Sequence, residues 1–229
     1  MKGAQLPLAV RLRDTASFES FVPGPNLEAV AALQDLTAPV LLYGAPGSGR
    51  THLLQATCRV HAGAYLPLSE LAPYGPDILE GFGQDGSVIL DDLDVVTGDR
   101  AWCTALIRML DGLRAQALGY VCSAGHPPDR MDCALPDLRT RLSQMTVLGL
   151  KPLSDTDRGD ILRLRAHQRG LALPDEVSRW LLRTQSRDTA TLLDALDRLD
   201  QASLTAKRRL TLPFAQAVLD GAGAHRAPD

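Results

Sequence analysis

Aromatic side chains make up only 4% of the 229 residues, so aliphatic groups must fill most of any core. Charge of neither sign dominates. A net charge of −3 argues against a protein whose main task is gripping nucleic-acid phosphates. The basic cluster Lys207-Arg208-Arg209 could form a local patch, but three charges beside a helix end are more often a solvated face. The four cysteines, Cys58, Cys103, Cys122 and Cys133, are scattered with no C-x-x-C pair. They read as reduced thiols, which excludes a disulfide frame or a cysteine zinc site. No stretch approaches the apolar length of a membrane span. Charges interrupt the start of the chain where the apolar run of a secretory signal would stand. Cytoplasmic location, with no membrane partner, is therefore expected. There is no internal repeat and no low-complexity segment. The remaining composition, 45% hydrophobic and 22% charged, is that of a soluble globular chain of one large or two small domains.

One motif stands out. Gly44-Ala45-Pro46-Gly47-Ser48-Gly49-Arg50-Thr51 fits the phosphate-cradling pattern G-x-x-x-x-G-[basic]-[S/T], with Arg50 where lysine is usual. An apolar run, Pro39–Tyr43, precedes it, and an amphipathic run beginning His52-Leu53-Leu54 follows. Glycines let the main chain turn and approach phosphate oxygens. Main-chain N–H groups and the helix N-terminus supply partial positive charge. Lysine is a compact point charge, whereas the arginine fork is planar and larger. The expectation is nucleotide binding with poor turnover in this pocket.

Four further apolar runs join Val40–Tyr43 as candidate buried strands: Ala64–Leu68, Val88–Leu93, Leu118–Ser123 and Thr146–Leu150. Helical patterns alternate with them at Arg50–His61, at Glu70–Gly81 despite Pro73 and Pro76, and at Ala101–Gln116, where Ala105, Leu106, Met109, Leu110 and Leu113 keep a 3.6-residue rhythm. Alternation of this kind implies an α/β domain with a five-stranded parallel sheet covered on both faces. After Leu150 no strand run appears. Ser154 can cap a helix running to Arg169, with Gly170 as its stop. Asp175–Thr184, Thr189–Ala206 and a helix beginning Pro213–Leu219 complete a small all-α domain. The expected boundaries are an N-terminal peptide and linker at 1–14, the nucleotide-binding domain at 15–151, the helical domain at 152–220 and a tail at 221–229.

Carboxylates end the third strand run. Asp91 is placed to hold Mg²⁺ together with Thr51, directly or through water, and Asp92 stands where a group orienting the attacking water is expected. In Leu135-Pro136-Asp137-Leu138-Arg139-Thr140-Arg141-Leu142, an arginine at the domain edge could meet a neighbour's phosphate or form a surface salt bridge. The residues alone leave both readings open. Gln5-Leu6-Pro7-Leu8-Ala9-Val10 could dock as an extended peptide in an apolar groove, or could be an unstructured start.

Together these segments resemble the DnaA branch of the AAA+ ATPases, and within it the Hda family of small DnaA homologues that inactivate the initiator. The likeness extends over nearly the whole chain. Ser17–Asn26 is similar to the family's adenine-side N-terminal box, which implies nucleotide contacts from Phe21 and Val22. Gly44, Pro46, Gly47, Ser48, Gly49, Arg50, Thr51 and His52 fall in its phosphate loop, and Asp91-Asp92 match its paired aspartates. Arg141 falls at its arginine-finger position. Leu153-Ser154-Asp155, Leu196–Ser203 and Leu212-Pro213-Phe214 resemble its lid. Gln5, Leu6, Pro7, Leu8 and Val10 resemble the peptide by which such proteins bind the sliding clamp, the β subunit of DNA polymerase III.

The resemblance implies ADP or ATP as ligand, ADP favoured, with Mg²⁺ possible, and DnaA and the clamp as partners. It also implies an arginine finger supplied to DnaA in trans, and self-association as a possible assembly. The chain stops after the lid, so the expectation includes no direct sequence-specific reading of DNA. Three phosphate-reading positions depart from the family pattern: Arg50, Gly125 where a polar sensor is usual, and Ala190 where a lid arginine is usual, with Arg187 as nearest substitute. Two other readings stand beside the regulator: a self-contained ATPase related to helicase loaders, and a clamp-tethered adaptor without catalytic input.

Overall fold

The computed structural model describes residues 16–83, 86–185 and 189–221. Five short strands, β1 (Val40–Tyr43), β2 (Ala64–Pro67), β3 (Val88–Asp91), β4 (Tyr120–Ala124) and β5 (Thr146–Gly149), form one parallel sheet in the order β2-β3-β4-β1-β5. β3 and β4 are buried along their whole length, which is why both read as unbroken apolar runs. Side chains alternate across the sheet. Leu41, Leu66, Leu90 and Cys122 face α4 (Arg100–Ala115) and α5 (Pro136–Ser143), meeting Leu106, Leu110, Leu138 and Leu142. Leu42, Tyr65, Ile89 and Val121 face α1 (Leu27–Asp35) and α2 (Arg50–Val60), meeting Leu33, Leu53 and Leu54.

Two readings of the sequence need correction. Glu70–Gly81 is not one helix. α3 spans only Leu68–Leu71, and two 3₁₀ turns follow, Ala72–Tyr74 and Pro76–Leu79, each with its proline in the first two positions. Proline lacks the N–H that continues a helix and clashes with the preceding turn, and Gly75 between the turns has φ +82°. Leu68 accordingly starts α3 instead of ending β2. The helix α1 gave no sequence signal: only Ala29 and Leu33 of its nine residues are buried, too narrow a stripe to register as a period.

The chain divides into two compact units after Lys151. The second contains α6 (Asp155–Gln168), α7 (Asp175–Thr184), α8 (Thr189–Ala206) and α9 (Leu212–Gly221). α6 opens on a capping box: Ser154 Oγ accepts from the Asp157 N–H at 3.1 Å, and Asp157 accepts from the Ser154 N–H at 2.8 Å. Gly170, at φ +69°, ends it. Leu162, Val177, Trp180, Leu181, Leu196 and Leu199 form the core of this unit. No helix among the described residues is long and apolar enough to cross a membrane.

Candidate functional site

The phosphate loop leaves the end of β1. Its first residue is tied to the neighbouring strand, the Gly44 N–H donating to the Ala124 carbonyl at 3.2 Å. Gly47 and Gly49 take φ of +76° and +98°, the left-handed backbone that glycine adopts without strain. Ala45, Pro46 and Gly47 form the exposed tip, and Arg50, Thr51 and His52 enter the first turn of α2.

Phe21 lies directly on this loop. A Cβ at Gly49 would stand 2.8 Å from the Phe21 ring. The ring also packs at 42° on His52, centroids 5.5 Å apart. His52 Nε2 lies 2.9 Å from the Ser17 carbonyl oxygen and 3.3 Å from Ser20 Oγ. A carbonyl only accepts, so Nε2 carries the proton in this contact. The segment 17–21, with Val22 half-buried next to it, is thereby tied to the helix that carries the loop. Asn26, a few residues on, grips the backbone of Lys151 through both its amide groups, at 2.7 and 3.2 Å.

Two buried polar atoms of the loop have no protein partner, Ser48 Oγ and Arg50 Nη1. Buried donors of this kind are costly unless something satisfies them. Both are chemically suited to phosphate oxygens, so the residues present fit a nucleotide. The other guanidinium nitrogen, Nη2, lies 3.6 Å from the Asp92 carboxylate. The substituted Arg50 thus spans the loop and the strand-end acid.

The acidic pair does not present itself as the sequence suggested. Strand alternation puts Tyr65 of β2, Asp91 of β3 and Ser123 of β4 on the α2 face together. Asp91 is 1% exposed. One of its oxygens accepts from Tyr65 Oη at 2.6 Å and the other from Ser123 Oγ. Burial, and then the Asp91 charge, push the Tyr65 phenol upward, holding it as a donor. Asp91 therefore does not fit a direct Mg²⁺ ligand alongside Thr51. No group of three or more acidic, His or Cys side chains suited to a metal occurs among the described residues.

Asp92 sits at φ +60°, its N–H donating to Ser123 Oγ at 2.9 Å. Burial and the Asp91 charge raise its carboxyl above the ordinary range, with Arg50 and Ser69 pulling the other way. Gly125, at the sensor position, donates its N–H to the Asp94 carboxylate. The polar side chain between the acids is instead Ser123. Tyr65, Ser123 and Asp94 were missed in the sequence, although counting alternate residues back from Asp91 and along β4 would have put the first two on its face.

Arg141 lies elsewhere, in the last turn of α5. Its side chain is 29% exposed and forks onto Asp111 of α4, Nε at 2.7 Å and Nη2 at 2.9 Å. Nη1 reaches the Asp137 carbonyl at 3.3 Å. A cleft of about 270 Å³ beside it is lined by Thr37, Ala38 and Pro39, which lead into β1, and by Gly119 and Tyr120, which open β4. Arg141 is thus at the starting ends of the strands and the phosphate loop at their finishing ends. The candidate clamp peptide, Gln5 to Val10, and Arg187 lie outside the described residues, as does the side chain of Ala190.

Comparison with known proteins agrees with this geometry. Residues 155–219 match the family model of the Hda lid domain. Domain III of the replication initiation protein DnaA from Thermotoga maritima superposes with a TM-score of 0.79 at 21% identity, over 92% of this chain and 98% of that one. DnaA bound to AMPPCP and single-stranded DNA gives 0.65 at 19% identity, over 95% and 76% of the two chains. The RuvB protein of Thermotoga maritima gives 0.69 at 14%, over 90% and 72%. At these identities the solved structures speak for the fold, and the lid match speaks for residues 155–219. The chain thus has the fold of DnaA domain III, and its residues 155–219 are similar to the Hda lid domain.

Proposed function

We propose that the protein is a negative regulator of replication initiation that lends Arg141 to ATP held by DnaA. The observation that carries this reading is the separation of Arg141 from its own phosphate loop. The two flank opposite ends of a four-residue strand, which alone spans roughly 10 Å. Arg141 cannot serve the pocket of its own chain, yet its guanidinium is partly exposed. In the partner's pocket, water attacks the γ-phosphorus and the bond to the β–γ bridging oxygen breaks, giving ADP and phosphate. The guanidinium stabilises charge on the transferring oxygens, a contribution of roughly 10³–10⁵-fold when supplied in trans. The DnaA–ADP left behind is the inactive form in this scheme.

The chain's own pocket holds a nucleotide, ADP in preference to ATP, as a structural ligand. Ser48 Oγ and Arg50 Nη1 supply donors to its phosphates. Turnover there is slow, because Asp92 serves as counter-ion to Arg50 and Asp91 is sealed by Tyr65 and Ser123. Residues 5–10 recruit the sliding clamp, with Leu6 and Leu8 filling an apolar groove and Gln5 hydrogen-bonding at its rim.

The decisive experiment measures hydrolysis of DnaA-bound ATP with and without this protein and DNA-loaded clamp. Stimulation that disappears in Arg141→Ala, with clamp binding intact, is the expected result; equal stimulation by the variant removes Arg141 from the mechanism. Gln5→Ala combined with Leu8→Ala should abolish clamp retention without altering the fold. The isolated chain should turn over ATP far below an ordinary enzyme rate of about 10 s⁻¹.

A further inference from the structure

We infer that Asp111 aims the arginine finger, acting as a positioning residue for the trans reaction. This rests on the reading of Arg141 just given. A guanidinium carries five N–H donors around a rigid plane. Asp111 takes the side edge, one donor from Nε and one from Nη2. A third, on Nη1, goes to the Asp137 carbonyl one turn earlier in the same helix. Two donors remain, one on each terminal nitrogen, with the Asp137 carboxylate 3.8 Å from Nη1. The edge between the two terminal nitrogens is the one able to meet two oxygens of a phosphoryl group at once.

The contact therefore does not compete with phosphate for the same donors. It fixes an otherwise flexible side chain about its long torsions and leaves its reactive edge presented. The two halves of the device come from different helices, α4 and α5, which pack through the buried Leu106, Leu110, Leu138 and Leu142. The carboxylate is consequently anchored to the core and not to a loop. Asp111 itself is half-exposed and touches the reaction only through Arg141. Arg141 holds the Asp111 carboxyl below its ordinary range, so the clamp stays charged at neutral pH.

The test uses the full-length chain, ATP-loaded DnaA and DNA-loaded clamp. The stimulated rate is followed as a function of the concentration of this protein. Asp111→Asn is expected to lower the rate at saturation by roughly ten- to a hundredfold, the scale of a misaimed catalytic group, with the half-saturating concentration unchanged. Asp111→Glu keeps a carboxylate and is expected to restore most of the rate. Melting temperature, measured in parallel, should move little, since the pair is partly exposed and exposed ion pairs contribute little to stability. An unchanged or faster saturated rate with Asp111→Asn overturns the inference, as does a loss confined to half-saturation or one that Asp111→Glu fails to reverse. A wild-type rate in Arg141→Ala defeats the finger reading itself, and is seen separately from any effect of Asp111.

Discussion

Replacing Tyr65 by phenylalanine removes one oxygen from the molecule and tests how the acidic pair is held. The Tyr65 hydroxyl donates to a carboxylate that is 1% exposed, at 2.6 Å. Water has no access to take its place. A hydrogen bond to a charged acceptor contributes roughly 1.5–3 kcal/mol, and the cost of losing it falls fully on the acceptor left behind. The ring itself stays buried and loses no packing. Tyr65→Phe should then destabilise the first unit by about 2 kcal/mol, roughly a thirtyfold fall in its folded-to-unfolded ratio. For a unit of this size that is a drop of about 4–8 °C in melting temperature. Ser123→Ala should cost more, about 3 kcal/mol, because the same hydroxyl also accepts from the Asp92 N–H at 2.9 Å. Guanidinium unfolding of the full chain, followed by a signal from the first unit, measures both. A midpoint for Tyr65→Phe indistinguishable from the parent would mean that Asp91 is not sealed by this contact, and the argument against it as a direct metal ligand would fall with it.

Other substitutions probe the same pocket. Gly49→Ala puts a Cβ 2.8 Å from the Phe21 ring at a φ of +98°, a backbone strain of about 1–3 kcal/mol for an L residue; calorimetric titration should show ADP affinity falling by roughly five- to 150-fold, the factor to which that strain corresponds if it is released on losing the ligand. Asp92→Asn should raise the melting temperature at pH 7. The folded carboxyl titrates above its ordinary 3.8, so the folded state binds the proton more tightly, and stability is lost as pH rises from that value through the raised one. The gain should vanish below about pH 3.8, and a loss of stability at pH 7 would show that the Arg50 pairing outweighs burial. All four cysteines are buried and the Cys122 thiol is pushed up to about 12 by burial. A disulfide reagent at pH 8 should label none of them quickly in the folded protein and all four in denaturant.

What the sequence revealed follows from which physical signals are local. The strands of a two-sided parallel sheet are apolar runs, and the phosphate loop is written contiguously from Gly44 to Thr51. Both could be read directly, and so could the Ser154 cap of the helical unit. The helix α1 could not be, since only two of its side chains are buried. The partners of the acidic pair were invisible for a different reason. Tyr65, Asp91 and Ser123 come from three strands separated by 26 and 32 positions, and only the strand order β2-β3-β4 makes them neighbours. Asp111 and Arg141, 30 positions apart, meet for the same kind of reason, through the packing of α4 on α5.

The two ends of the sheet differ in what they leave unsatisfied, and this difference bears on how the proposed regulator divides its work. At the finishing ends the charges are turned inward. Arg50 leans on Asp92, and Asp91 is consumed by two hydroxyls. The unpartnered donors left there, Ser48 Oγ and Arg50 Nη1, call for a bound anion but not for a reacting one. At the starting ends the arrangement is reversed, for Arg141 is held by Asp111 through Nε and Nη2 and stays partly exposed. A pocket of the first kind favours a resident ligand that stabilises the fold by mass action. In the proposed reading, a guanidinium of the second kind gains nothing from its own nucleotide and acts when another chain brings a triphosphate to it. Replacing Arg50 by lysine should accordingly alter the chain's own nucleotide affinity while leaving its stimulation of DnaA unchanged. Loss of stimulation in Arg50→Lys, measured with the pocket kept saturated by ADP, would mean that the two ends are coupled and that the resident nucleotide governs the finger.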